Sequence, residues 1–578
     1  MKTIPRPEHP QPQFMRQTWQ NLNGIWQFAF DFGKSGLDRK WYEEGPFDQV
    51  INVPFCPESS LSGIGYTDFM PAVWYRRTIV ISDQQLKHCI KLHFGAVDYN
   101  SQIFINGKLV GSHQGGYAPF SFEINSFLEV GENSLVVYVE DDNRSGRQPK
   151  GKQSSFYYSR GCDYTRTTGI WQTVWLEFLP VKHIREIKYF PNISESSVTI
   201  EVKTNGSGVL KAEVFYEGRE CGSKEIRIGG HGFVNISLLE THVWEVGHGR
   251  LYDVRFSFED DRVQSYFGLR EVRMDGYRFL LNNQSVYQRL VLDQGFYPEG
   301  IYTAKDDDAL RQDIHLSLNA GFNGARLHEK AFEPRFLYHC DREGYLVWGE
   351  MANWGIDVSS YSAIADFLPE WQTLVRRDFN HPSLVIWCPI NESWDYDNRP
   401  QKDELLEMVY QTTKELDPTR PCIDASGNYH VITDIYDVHD YTQDIQQFKE
   451  HFIGELQDNG EFWDEHDHRQ RYQKGLPFCV SEYGGIKWDP TDTGESWGYG
   501  NEPRSESEFI ERYRGLTEVL LSHPKMFGFC YTQLYDVEQE KNGLYDYHRN
   551  PKFDMAVIRE INQQQAEIET VFVDGDIK

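Results

Sequence analysis

Two glutamates stand where chemistry is easiest to imagine. The stretch "HPSLVIWCPINES" turns at His381-Pro382, runs apolar from Leu384 to Trp387 and ends on Asn391 and Glu392, and "FCVSEYGG" ends a second apolar run on Glu482. Three strand–helix units of roughly 30 residues each separate them, so in a (β/α)8 barrel they end strands four and seven and face each other across the mouth. Paired carboxylates in that position suit retaining glycoside hydrolysis. One protonates the leaving oxygen and later deprotonates water, while the other attacks the anomeric carbon, at a separation of about 5 Å. The acid needs desolvation or a nearby negative charge to hold its proton; the nucleophile needs hydrogen bonds or a cation to stay ionised. Asn391 offers an amide to a substrate hydroxyl and Arg326 offers a cation to Glu482, so the expected roles are Glu392 as acid/base and Glu482 as nucleophile. Singly, either carboxylate is as readily a helix cap or an ion-pair partner. The pairing gives them weight.

The elements that must position this pair are written along the chain. Residues 1–180 alternate short strand-like runs ("GIWQFAFD", "VWYRRTIVI", "SQIFINGKLVGSH", "NSLVVYVED") with turns, including the hairpin signal Asn106-Gly107, and predict a jelly-roll β-sandwich. Residues 181–272 carry a second all-β rhythm, read as seven or so strands of an immunoglobulin-like β-sandwich. From 273 to 578, eight almost wholly apolar β-runs alternate with helical patterns, among them "SESEFIERYRGLTEVLLSHP" with a capping box from Ser505 to Glu508 and a stop at Pro524. That alternation predicts a catalytic (β/α)8 TIM barrel. Its strand ends present, in order, Asp293; Arg326 and His328; Glu350 and Asn353; Asn391 and Glu392; Asp424; His439 and Tyr441; Glu482; and Tyr531 and Asp536.

Composition bounds the rest. A chain of 578 residues with 39% hydrophobic and 15% aromatic residues is too apolar to be disordered and long enough for several cores. A formal charge of -29 makes nucleic acid, anionic membranes and polyanionic polysaccharides poor partners and favours an uncharged glycoside substrate; the same charge suits a monomer or a homo-oligomer. Nine scattered cysteines without a CxxC or a Cys/His cluster predict buried, reduced thiols and no structural metal. No apolar run approaches the ~18 residues of a membrane span and the N-terminus lacks a leader-like core, which predicts a cytoplasmic location.

At these residues the sequence resembles glycoside hydrolase family 2, the family of β-galactosidases, β-glucuronidases and β-mannosidases. "RRDFNHPSLVIWCPINES" is similar to the family's acid/base signature and "CVSEYGG" to its nucleophile segment. "NGARLHEKAFEPRFLYHCDREGYLVWGEM", "DVEQEKNGLYDYHRNPK" and "TTGIWQTVWLE" follow the family's order, so the likeness covers nearly the whole chain. It implies a sugar-binding jelly roll, an immunoglobulin-like sandwich and a catalytic barrel, with Glu392 as acid/base and Glu482 as nucleophile. It also implies that Arg326, His328, Asn391, His439, Tyr441 and Tyr531 line the terminal-sugar subsite, joined by Asp163 from the jelly roll. Members specific for glucuronic acid carry Asn-x-Lys where this chain has Glu540-Lys541-Asn542, and Glu540 would repel a sugar carboxylate.

The expectation is therefore an exo-acting retaining O-glycosidase for a neutral sugar, β-galactoside first and α-L-arabinoside or another neutral sugar second, with β-glucuronide disfavoured and no cofactor expected. Mg²⁺ or Na⁺ assistance is not readable from the residues. Two other classes stand beside it: a catalytically inactive carbohydrate-binding barrel, and a metal-dependent barrel enzyme built on His328, His439 and Asp437.

Overall fold

The computed structural model describes residues 4–453, 462–463, 473, 475–491, 494 and 496–570. Its first sandwich packs a six-stranded antiparallel sheet, ordered Gln49–Val53, Gly24–Phe30, Ala72–Ile81, Gly131–Glu140, Asn100–Ile105, Lys108–Gln114, against a four-stranded one. Period-two alternation sets the inner face. Val137 lies opposite Tyr75 and Val139 opposite Val73, and all four are buried in one apolar cluster between the sheets. The Asn106-Gly107 hairpin forms as its sequence predicts: Ile105 pairs with Lys108, and the two turn residues take φ of 50° and 76°.

The second sandwich corrects the strand count. Among the described residues it has five strands, because Ser197–Tyr216 and Arg219–Ser237 are single strands of 20 and 19 residues. Asn205-Gly206 has the residue types of a tight turn, yet it lies within a register irregularity between Lys203 and Ser207. The chain bends there and keeps its partner, so one strand serves both layers of the sandwich.

The barrel strands are β1 (Gln288–Asp293), β2 (Gly324–Leu327), β3 (Leu346–Glu350), β4 (Leu384–Cys388), β5 (Tyr436–Asp440), β6 (Phe478–Gly484) and β7 (Met526–Thr532). All pair in parallel in the order β4-β3-β2-β1-β7-β6-β5. The expected fifth run, "PCIDAS", is no regular strand. It touches β4 and its extension only through the bridges Trp387–Cys422 and Asn391–Ser426, with Ile423 N–H on the Trp387 carbonyl (2.9 Å) and Ser426 N–H on the Ile390 carbonyl (2.9 Å). Leu290, Leu292, Trp348, Ile386, Cys388, Cys479 and Cys530 fill the interior, and a small sheet starting at Val272 closes its lower end with Phe279 and Leu281. Each such side chain contributes about 1.5–3 kcal/mol of burial, which makes the floor beneath the mouth rigid. All nine cysteines are free thiols, seven of them buried.

The first sandwich is seated on the barrel mouth. The Lys150 and Gly151 amides donate to the Trp354 carbonyl (2.7 and 3.2 Å), Ala118 N–H donates to buried Glu370 (2.9 Å), and Trp171, Tyr117 and Tyr302 pack ring against ring across the junction. Loop 143–165 therefore hangs over the ends of β2 to β4. The N-terminal segment touches all three units: Asn21 of the first sandwich donates to the Arg6 carbonyl (2.8 Å), Met15 pairs with Gln264, and Arg6 holds Glu333 of the barrel (2.6 Å).

Candidate active site

Arg326 organises the mouth. It projects inward from β2, fully buried, and its guanidinium reaches Glu350 on β3 (2.7 Å), the Ser481 carbonyl (2.7 Å) and Glu482 (3.1 Å) on β6, and the Asn391 side-chain oxygen beyond β4 (3.1 Å). Burial opposes its charge, but Glu350 and Glu482 raise it well above its ordinary value. Removing one member of such a buried pair costs about 3–5 kcal/mol, so Arg326 fixes the frame as well as the charge.

Glu482 owes its aim to a bulge. Val438 pairs with Val480 but His439 pairs with Glu482, so Ser481 is an extra residue in β6. It turns its hydroxyl back to Asp437 and lets Glu482 face the mouth. There Glu482 accepts from Arg326 and from the Tyr441 hydroxyl, whose ring is stacked on Tyr499 with centroids 3.4 Å apart. His328 lies 3.8 Å from it. Burial, with Lys152 nearby, pushes His328 well below the ordinary imidazole range, so it is neutral.

Glu392 sits at φ of 41°, a left-handed conformation that a non-glycine residue keeps only when its surroundings impose it. They do so through its N–H on the Ser426 carbonyl (2.8 Å) and through Asn353, which clamps both backbone groups of Asn391 (2.7 and 2.8 Å). The Glu392 carboxylate meets His439 Nδ1 at 2.7 Å, and the same nitrogen is 3.5 Å from Glu482. One carboxylate oxygen of each glutamate and a His439 ring nitrogen all lie within 4.8 Å of one another. Burial works to raise the Glu392 carboxyl, but the hydrogen bond and charge of His439, together with the charges of Lys152 and Arg326, outweigh it and hold the group below its ordinary value. Conversely His439, although buried, is raised by Glu482 and Glu392. The Asn391 Nδ2 is buried with no partner among the described residues, a donor left for a ligand.

The positions expected from the sequence divide. Arg326, His328, Asn391, His439 and Tyr441 come together around the two glutamates. Asp163 stands at the rim, paired with Lys150 (2.9 Å), and lines with Glu392, Trp354 and Trp394 a cleft of about 340 Å³. Tyr531 does not reach the mouth. Cys530 takes the inward place on β7, so the next residue faces outward, where Tyr531 packs on Tyr483 and Tyr513 with ring centroids 5.5 and 4.8 Å away. Nor do His328, His439 and Asp437 converge for a metal: Asp437 is taken by Ser426 (2.5 Å), Ser481 and His430 (3.3 Å), and the cluster that does converge is made of the two glutamates and His439. Sequence reasoning missed Lys152, Tyr499 and the bracing by Glu350 and Asn353. Only Gly151, a glycine between two lysines in a polar loop, hinted at a close approach there.

The family described as "Glycosyl hydrolases family 2, sugar binding domain" matches residues 19–180, and "Glycosyl hydrolases family 2, TIM barrel domain" matches residues 272–564. A beta-galactosidase of Thermoanaerobacterium thermosulfurigenes is 26% identical over 64% of this chain and 53% of its own length, and a beta-glucuronidase of Felis catus is 25% identical over 80% and 77%. The chain spans about half the length of the former and of a 25% identical protein from Formosa agariphila (52% of its length). Among solved structures, a Lactobacillus rhamnosus beta-glucuronidase superposes with a TM-score of 0.81 at 19% identity, covering 97% of this chain and 100% of that one. A Ruminococcus gnavus b-glucuronidase in complex with D-glucuronic acid does so at 0.79 and 18%, covering 95% and 99%.

Proposed function

The chain belongs to glycoside hydrolase family 2, and on that premise we propose that it removes a terminal sugar from O-glycosides with retention, Glu392 acting as acid/base and Glu482 as nucleophile. The observation that carries this reading is the approach of the two carboxylates within 4.8 Å, close enough for direct attack on one face and protonation at the other. Glu482, held by Arg326 and Tyr441, attacks the anomeric carbon while Glu392 gives its proton to the departing oxygen. In the second half Glu392 takes a proton from water, which opens the glycosyl ester and frees Glu482. The lowered Glu392 carboxyl is compatible with the acid role because it shares a 2.7 Å hydrogen bond with a raised His439. The pair carries one proton, and its transfer along that bond leaves Glu392 protonated beside a neutral imidazole.

For the sugar, Glu540 supports a neutral glycone, β-galactoside first. It is buried and accepts from Tyr164 and from Asn542 (2.9 Å), and burial pushes it up to about 7. A β-glucuronide is the second reading, favoured because a Glu540 that takes up its proton near neutrality no longer repels a carboxylate. A panel of nitrophenyl β-galactoside, β-glucuronide, β-glucoside, β-mannoside, β-xyloside and α-L-arabinosides separates these readings, and turnover of the β-glucuronide alone would overturn the neutral one. With the 2-deoxy-2-fluoro analogue of the preferred sugar, the expected mass increase falls on the peptide containing Glu482; a label elsewhere would reverse the roles.

A further inference from the structure

Lys152 belongs to the first sandwich, yet its charge lies among the reacting groups. Its side chain is 6% exposed, its Nζ stands 3.6 Å from the centroid of the Trp354 ring, and among the described residues it has no hydrogen-bond acceptor. An ammonium has three donors, and an aromatic face satisfies its charge without satisfying its N–H groups. Burial opposes the charge, but Cys162, Glu392, Glu540 and Glu482 raise it, so Lys152 is a cation. Its position is imposed. Gly151 takes φ of 56°, and a Cβ there would come within 2.2 Å of the Glu329 carbonyl, so the backbone lies directly on the loop after β2. On the other side Tyr164 ties Lys152 to Glu540, its N–H on the Lys152 carbonyl (2.7 Å) and its hydroxyl on the Glu540 carboxyl.

We propose that Lys152 is a sugar-binding residue whose ammonium donates to a hydroxyl of the terminal sugar that is shared with Glu540, making the first sandwich one wall of the glycone subsite, where the Glu540 carboxyl rather than the ammonium favours an uncharged sugar. This rests on the neutral-glycone reading of the same site. A hydroxyl fits because it accepts from an ammonium and donates to a carboxylate at once, whereas a sugar carboxylate placed there meets the Glu540 carboxyl. Asn391, with its own unpaired amide, serves a different hydroxyl near the reacting carbon.

The test compares wild type with Lys152→Met on the preferred nitrophenyl glycoside and on its set of monodeoxy analogues. On the parent glycoside KM is expected to rise at least tenfold with kcat changed less than about threefold. On one monodeoxy glycoside, lacking the shared hydroxyl, that penalty is expected to disappear. A purely structural lysine would produce the same penalty on every analogue, and that result, or an unchanged KM, would overturn the proposal. Lys152→Gln permits the same comparison if the methionine variant does not fold. Wild-type turnover of the β-glucuronide alone would instead sink the neutral-sugar reading, so the two failures are distinguishable.

Discussion

On the proposed mechanism, the histidine between the two glutamates sets the pH dependence of the site. Below the raised pKa of His439 the His439–Glu392 pair holds one proton that can be delivered to the leaving oxygen; above it, imidazole is neutral and Glu392 anionic, and no proton remains to give. The alkaline limb of kcat/KM for a nitrophenyl glycoside is therefore expected to have its midpoint above 6.5, the ordinary imidazole value. With a 2,4-dinitrophenyl glycoside, whose leaving group departs unprotonated, the limb is expected to flatten; identical limbs for both substrates would contradict the role of the pair. The convergence of the two glutamates was legible because a carboxylate ending an apolar run, repeated three units later, marks two strand ends on one barrel mouth. Tyr531 was misread at this scale. Its place at a strand end was right, but strand ends alternate between mouth and helix layer, and only Cys530 beside it decides which side Tyr531 takes.

Among the elements, the irregular segment 422–426 and the turn after it do most to place His439. Gly427 takes φ of 66°, and a Cβ there would stand 2.1 Å from His439 Nδ1, so Gly427→Ala must push the imidazole away from Glu392. Its expected effect is a fall in kcat/KM of at least tenfold, with a loss of stability of only about 1–3 kcal/mol as the ring moves aside. Kinetics alongside thermal melting check this, and unimpaired turnover would show that the imidazole has no part in proton delivery. Strand rhythm made the barrel and both sandwiches readable, since periodicity depends on local residues alone. The Ser481 bulge and the missing fifth strand were not readable, because both arise from register with neighbours distant in sequence. The long strands of the second sandwich were hidden for a related reason: Asn205-Gly206 has turn chemistry, and only pairing along Arg219–Ser237 turns it into a bend.

At the scale of the molecule, the mouth is shared between domains. Glu370 accepts from the Ala118 amide of the sandwich, and Lys330, pushed down to about 7 by burial, points at Trp171 of the sandwich as well as at Tyr297, Tyr302 and Phe332 of the barrel. Residues 273–578 expressed alone lose these partners. They are expected to melt without cooperativity and to leave even a nitrophenyl glycoside unhydrolysed, by circular dichroism and chromogenic assay; a cooperative, active fragment would refute that interdependence. No helix among the described residues is long and apolar enough to cross a membrane. The seating of loop 143–165 over the barrel has a consequence for the history of such a chain. On the proposed reading the bond is broken by Glu482 in a barrel strand and Glu392 just beyond another, where most changes are ruinous, while the wall above belongs to a loop on a separate scaffold. Lineages can therefore drift in that loop and acquire a new sugar preference while inheriting the reaction unchanged.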